Sequence, residues 1–257
     1  MKIMVKIFSK ICTIADKIKN TFTGILEFST AQRLIGGTNF MTLKCLAILF
    51  LSMPFYFYMM RMKKKARNAC RQKNLGGWVE FIHGFAIYVI VRQIKPQIIV
   101  ETGVGPGSTS AFILKALKDN DRGMLYSIDL PGNDAVVYPM LGKSFNVHIP
   151  NGFEVGWLIP PAFKNRWKLI LGDSKEELPK LLKELGTIDI FLHDSLHTDE
   201  HILMEFKIVM SYIRQGGILL CDDVNSFWST TFITFCKEYN IPYFVFNDRL
   251  GIGKVIS

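Results

Sequence analysis

The sequence predicts an α/β fold built on a doubly wound, mostly parallel sheet, and three observations carry that prediction. From residue 78 onward, short apolar runs alternate with helix-like segments through brief, turn-rich connections. The runs are almost continuously apolar, as strands buried on both faces require. Acidic residues stand at their C-terminal ends, where ligands bind in such sheets: Glu101, Asp129, Asp173, Asp194, Asp222 and Asp223.

Taken in order, the Gly76-Gly77 break precedes WVEFIHGFAIYVIVRQIK, which reads as a helix, and Pro96 then opens the strand QIIVE. The loop TGVGPGS leads into the helix TSAFILKALKD, the strand GMLYSID and a long loop from Leu130 to about Pro161. There follow strand WKLILG, helix SKEELPKLLKEL, strand IDIFLHD, helix TDEHILMEFKIVMSYI, strand GILLCDD, helix SFWSTTFITFCKEY, strand YFVFN and the tail GIGKVIS. No internal repeat or low-complexity tract interrupts the alternation.

Charge divides the chain of 257 residues in two. Residues 1–75 carry fourteen basic residues against Asp16 and Glu27, a surplus of +12, whereas 76–257 carry 17 basic and 20 acidic residues, or −3. A nucleic-acid enzyme spreads basic residues over its binding face, and this C-terminal body does not, so nucleic acid is not an expected partner. Five scattered cysteines (Cys12, Cys45, Cys70, Cys221, Cys236) without C-x-x-C spacing give neither a disulfide framework nor a thiolate zinc site, and point to a reducing compartment.

The first 75 residues read as a membrane attachment. Cys45 to Met60 is a sixteen-residue run without charge; extended back through Lys44 to Phe40 it makes twenty-one residues, which just span hydrocarbon at ~1.5 Å per residue, and a candidate transmembrane helix is placed at 43–60, with Pro54 kinking it. The run RMKKKARNACRQK follows with seven basic residues and no acid, which holds that side, and the catalytic domain after it, in the cytosol and attracts anionic lipid. The segment before the run reads as a basic amphipathic helix. The competing expectation is a helical cap packed on the C-terminal domain.

The most informative loop is E-T-G-V-G-P-G-S. Gly103, Gly105 and Gly107 follow Glu101 where the backbone turns tightly and approaches a ligand. A dinucleotide fingerprint requires G-x-G-x-x-G, and Ser108 stands at its last glycine. The spacing favours S-adenosylmethionine, whose amino and carboxyl ends need an acid and backbone donors and which has no pyrophosphate. Asp129 is placed to accept ribose hydroxyls. Asp173 with Ser174 is placed to take the adenine amine, and equally to cap the following helix.

These residues, with Gly156-Trp157-Leu158-Ile159-Pro160, Arg166-Trp167, Gly172-Asp173-Ser174, His193 to Thr198 and Asp222-Asp223, make the stretch from about Trp78 to Asp248 similar to class I S-adenosylmethionine-dependent methyltransferases. The resemblance implies a Rossmann-like, seven-stranded sheet with an antiparallel last hairpin, and it leaves residues 1–75 uncovered. It also implies a metal. In catechol- and sugar-modifying O-methyltransferases, an Asp after the fourth strand and an acidic pair after the fifth hold Mg²⁺, and Asp194, Asp222 and Asp223 fall on those positions. A hard cation with oxygen ligands would lower the pKa of a bound hydroxyl. The relatives' general base, two places after the metal Asp, is Leu196 here. His197 is therefore the candidate base beside the catalytic Asp194, His201 is expected on a helix surface, and Trp157 and Trp167 are expected in the core rather than the pocket.

The expected activity is methyl transfer to a hydroxyl of a small sugar, polyketide, lipid-like or phenolic acceptor. The alternatives are a nicotinamide-dependent oxidoreductase on a similar sheet and a non-catalytic binding protein that keeps the fold.

Overall fold

A computed structural model describes residues 33–36, 44, 53–69, 81–131, 136–138, 143–145, 149, 152–225 and 229–256. Seven strands form the main sheet: β1 (Ile98–Thr102), β2 (Met124–Asp129), β3 (Trp167–Leu171), β4 (Ile188–His193), β5 (Ile213–Cys221), β6 (Tyr243–Phe246) and β7 (Leu250–Lys254). Their spatial order is β3-β2-β1-β4-β5-β7-β6, with β1 to β5 parallel and β7 antiparallel to both of its neighbours. The order reverses beside β1, which opens a crevice at the C-terminal edge between β1 and β4.

Consecutive strand residues serve two cores. Ile99, Ile190, Leu192, Ile218 and Leu220 pack on one face, and Val100, Phe191, Leu219 and Cys221 on the other. The first face is covered by α2 (Phe81–Ile94) and α3 (Ser108–Asn120), the second by α4 (Ser174–Leu185), α5 (Asp199–Met210) and α6 (Thr231–Glu238). In α2 the stretch from Phe85 to Val91 is at most 1% exposed, which is why it reads as apolar on every side rather than amphipathic. Gly84 lets it approach α3, since a Cβ there would stand 2.5 Å from the Phe112 ring.

Three boundaries differ from expectation. Strand β5 begins at Ile213, not at the GILLCDD run, because Gly216 turns at φ 76° and the register with β4 shifts between Ile188 and Ile190. Helix α5 consequently stops at Met210. The long loop after β2 contains a short hairpin, Val136–Tyr138 against Lys143–Phe145, and ends in a 3₁₀ turn at Pro161–Arg166.

The candidate transmembrane helix at 43–60 falls partly outside the described residues, which include only Lys44 and 53–60 of it. Residues 45–52 lie outside the described residues, as do 1–32 and their expected amphipathic helix. The remainder enters α1 (Met53–Ala69), which joins the end of the apolar run to the basic run. Pro54 lies in α1, and the residues before Met53, where a proline kink would act, lie outside the described residues. Phe55 is 6% exposed and packs edge-on against Phe112, with ring centroids 5.4 Å apart, and against Phe163 at 5.8 Å. Among the described residues no helix is long and apolar enough to cross a membrane.

Candidate active site

The loop after β1 is held open by its own backbone geometry. Gly103, Gly105 and Gly107 have φ of 82°, 52° and 83°, in the left-handed region that side chains disfavour. A Cβ on Gly103 would collide with the Asp194 carbonyl, so the glycine loop and the end of β4 touch backbone to backbone. Gly107 caps α3 and lies against Ile159 and Gly156. The Gly156-Trp157-Leu158 segment in turn bonds to the loop, Gly156 N to Gly105 O and Leu158 N to Pro106 O, both at 2.9 Å.

Asp129, at the end of β2, organises this loop. Its Oδ2 accepts from Val104 N at 3.0 Å and Gly105 N at 2.7 Å, and its Oδ1 from Leu130 N at 2.8 Å. A carboxylate offers about four lone-pair sites, so three are used within the chain and about one is left for a ribose hydroxyl. Burial raises its pKa, and the three N–H bonds oppose that shift.

Glu101 lies beneath the loop, fully buried on β1. Its Oε1 accepts from Ser110 Oγ at 2.5 Å and Ser127 Oγ at 2.6 Å, and Ser127 in turn accepts from Trp167 Nε1 at 2.7 Å. Oε2 has no hydrogen-bond partner among the described residues. Burial pushes this carboxyl up to about 7, against the pull of the two serines.

Asp173 and Ser174 have local tasks. Asp173 Oδ1 accepts from Lys175 N at 2.9 Å and caps α4, one of its two expected roles. The Ser174 hydroxyl is buried 3.0 Å from His201 Nε2. His201 is 6% exposed rather than on a helix surface, because Glu205 draws it inward. Glu205, on α5, accepts from Thr102 Oγ1 at 2.6 Å and Ser195 Oγ at 3.1 Å, and contacts His193 Nδ1 at 2.7 Å and His201 Nε2 at 2.9 Å. Burial would raise Glu205, but His193 and His201 outweigh it and hold the carboxyl low. This hub braces the floor of the site, and nothing in the local sequence marks Glu205 except its spacing four residues after His201.

Asp194, Asp222 and Asp223 come together at the ends of β4 and β5, as expected. Thr109 Oγ1, in the first turn of α3, reaches Asp194 Oδ2 at 3.4 Å. Burial and the charges of Asp222 and Asp223 raise Asp194 well above the ordinary carboxyl range, while burial and Asp222 push Asp223 up to about 7. The cluster is not arranged as the expected metal ligand set. Arg249 bonds two of its members: Nε is 2.8 Å from Asp223 Oδ1 and 3.3 Å from Asp222 Oδ1, and Nη2 is 3.3 Å from Asp222 Oδ2. Among the described residues no group of three or more His, Cys, Asp or Glu is placed to hold a metal. No local pattern marks Arg249, which lies on the turn before β7, 26 residues from Asp223.

His197 stands beside this cluster, Nε2 3.7 Å from Asp223 Oδ2 and 4.0 Å from Asp194 Oδ1. It does not titrate near neutrality as expected: burial, helped by His193 and Arg249, pushes it down to about 3. It is therefore a neutral ring and a weak base. Trp167 packs on the core as expected, and Trp157 stacks edge-on with Phe153 at 4.8 Å.

Residues 100–224 match the family model of a methyltransferase domain. A search of curated proteins finds no relative. Solved structures share the fold at low identity. The Podospora anserina methyltransferase PaMTH1, solved with S-adenosylhomocysteine, aligns over 78% of this chain and 88% of its own at 16% identity and TM-score 0.55. The O-methyltransferase TomG of Streptomyces achromogenes, solved with S-adenosylmethionine, aligns over 76% and 89% at 15% identity and TM-score 0.51. Residues 100–224 thus form a methyltransferase domain, on a fold shared with methyltransferases solved with S-adenosylmethionine or S-adenosylhomocysteine, which speaks against the nicotinamide alternative.

Proposed function

We propose that the chain methylates a hydroxyl oxygen of a small acceptor, of the sugar, polyketide, phenolic or lipid-like kind, with S-adenosylmethionine as donor. The observation that carries this reading is the contact between Gly103 and the Asp194 carbonyl, which sets the glycine loop directly beside the carboxylate cluster. When bound, S-adenosylmethionine supplies an electrophilic methyl on a sulfonium. The residues fit it: Glu101 Oε2 is a buried acceptor with no partner among the described residues, suited to the ammonium end; Gly105 and Gly107 leave the loop open; and Asp129 keeps about one acceptor site for the ribose. Asp173 and Ser174, just after β3, remain the candidates for the adenine amine, with Asp173 Oδ1 also capping α4.

Asp194 is assigned to take the acceptor's proton. Burial and the charges of Asp222 and Asp223 raise its carboxyl, which makes it a stronger base than an ordinary carboxylate, whereas His197 is pushed down, and among the described residues no hydrogen bond ties Asp194 to Arg249. The domain otherwise works by positioning and by excluding water. Incubation with isotopically labelled S-adenosylmethionine and a panel of phenols, sugars and hydroxylated polyketides tests the reading. Label in a product that acid or base hydrolysis identifies as an ether is expected. Binding of S-adenosylmethionine without transfer to any acceptor would favour the non-catalytic alternative.

We also propose that residues 1–75 hold the domain at an anionic lipid surface rather than through a span at 43–60. Met53, Phe57 and Met60 are 48%, 66% and 60% exposed at helical spacing on α1, with exposed Arg61 and Lys64 continuing the stripe. Such a face lies in an interface with its charges toward headgroups. Cosedimentation with phosphatidylserine vesicles that is lost in high salt supports this reading. Equal recovery with phosphatidylcholine vesicles would count against it.

A further inference from the structure

We propose that Arg249 is the resident cation of the active site, standing in for a divalent metal and making methyl transfer independent of one. This inference rests on the methyltransferase reading above and concerns how the site handles charge.

The sheet itself puts Arg249 there. Strand β7 runs antiparallel to β5 with Leu220 opposite Ile252 and Cys221 opposite Gly251. Continuing that register two residues beyond Cys221 sets Asp223 opposite Arg249, and the Arg249 carbonyl accepts from Val224 N at 2.7 Å. Asp223 takes φ 56° at this point, a conformation that Asp tolerates better than most residues. The arginine is therefore tied to the cluster by backbone pairing as well as by its side chain.

Its bonds use the oxygens a metal would need. Nε and Nη2 together engage both oxygens of Asp222 and one of Asp223. A hard divalent ion would have to enter against a like charge already bonded to two of its three carboxylates. Unlike a lysine, the guanidinium stays protonated at all working pH, so the compensation is permanent. Burial works against its charge, but Asp222 and Asp223 hold the charged form. The side chain is 30% exposed and Nη1 makes no bond among those described, so a donor remains for an acceptor's oxygen.

The step balances without a metal. The acceptor O–H gives its proton to Asp194, and the oxygen's electron pair forms the new O–CH₃ bond. The S–CH₃ bond breaks, leaving its pair on sulfur as a neutral thioether. Arg249 stabilises negative charge developing on the acceptor oxygen by a fixed N–H donor, the part a metal plays elsewhere.

Mn²⁺ alone is the probe, read by electron paramagnetic resonance on the full chain, with and without S-adenosylmethionine. The native chain is expected to show no site tighter than about 1 mM, and Arg249→Met to gain one site at least tenfold tighter that Asp222→Asn removes. Arg249→Lys keeps a positive charge and is expected to bind no Mn²⁺. Transfer by the native chain is expected to be unchanged in EDTA. A single native Mn²⁺ site below about 100 µM, lost in Asp222→Asn, would overturn the proposal even if Arg249→Met did not fold. Because Mn²⁺ titration needs no turnover, a failure of the methyltransferase reading would show separately, as absent cofactor binding.

Discussion

Replacing Asp129 by Asn perturbs the loop and the ligand at one atom. The change keeps the shape of the side chain but removes the charge that draws Val104 N and Gly105 N, at 3.0 and 2.7 Å, onto Oδ2. If the amide nitrogen faces those two donors, both bonds are lost. If the amide flips, Leu130 N loses its partner instead. A bond to a charged acceptor contributes about 1.5–3 kcal/mol, against about 0.5–1.5 for a neutral one. The net loss in preorganising the loop is therefore about 2 kcal/mol, which corresponds to roughly 30-fold in affinity. Calorimetric titration of S-adenosylhomocysteine into the folded variant should show that weakening, with a lower melting temperature. An affinity within about twofold of native would refute the assignment of the loop to the cofactor.

Three further outcomes follow from the same geometry. Gly103→Ala adds a left-handed strain of about 1–2 kcal/mol to a backbone collision at Asp194, so unfolding by urea should show a loss above about 3 kcal/mol; a neutral substitution would mean the β1 and β4 ends do not touch. Glu101 is raised from 4.5 to about 7 on folding, so its burial costs nothing below about pH 4.5 and progressively lowers stability as pH rises through 7, by about 3 kcal/mol in all. Denaturation at pH 4 and 8 should show Glu101→Gln gaining on the native chain by about that amount at the higher pH, whereas parallel curves would contradict it. Phe55→Ala should cost about 3–5 kcal/mol because the ring fills a site between Phe112 and Phe163, and a chain beginning near Lys73 should share that loss; unchanged melting would mean α1 is not docked.

The fold was legible because its strands carry their burial in their residues. Ile99 and Val100, or Phe191 and Leu192, face opposite cores, so the runs had to be apolar throughout. The glycine loop was legible for the same reason: only glycine suits those φ values, and the strand before it and helix after it give the context. Roles that depend on distant partners were not. His197 lies in the expected place, but the burial and the neighbouring His193 and Arg249 that suppress its protonation come from packing. Arg249 reaches Asp223 only because β7 pairs with β5, a neighbour relation no local pattern encodes. Residues 53–60 were read as the end of an apolar span, whereas α1 carries them on into the basic segment as one helix.

The central claim is that the glycine loop and Asp129 form a site for S-adenosylmethionine rather than for a dinucleotide. Equilibrium titration of the full chain with S-adenosylhomocysteine and, separately, with NAD tests it most directly. The account predicts one S-adenosylhomocysteine bound per chain, abolished by Gly105→Val, and no NAD binding. Saturable binding of NAD with none of S-adenosylhomocysteine would contradict it.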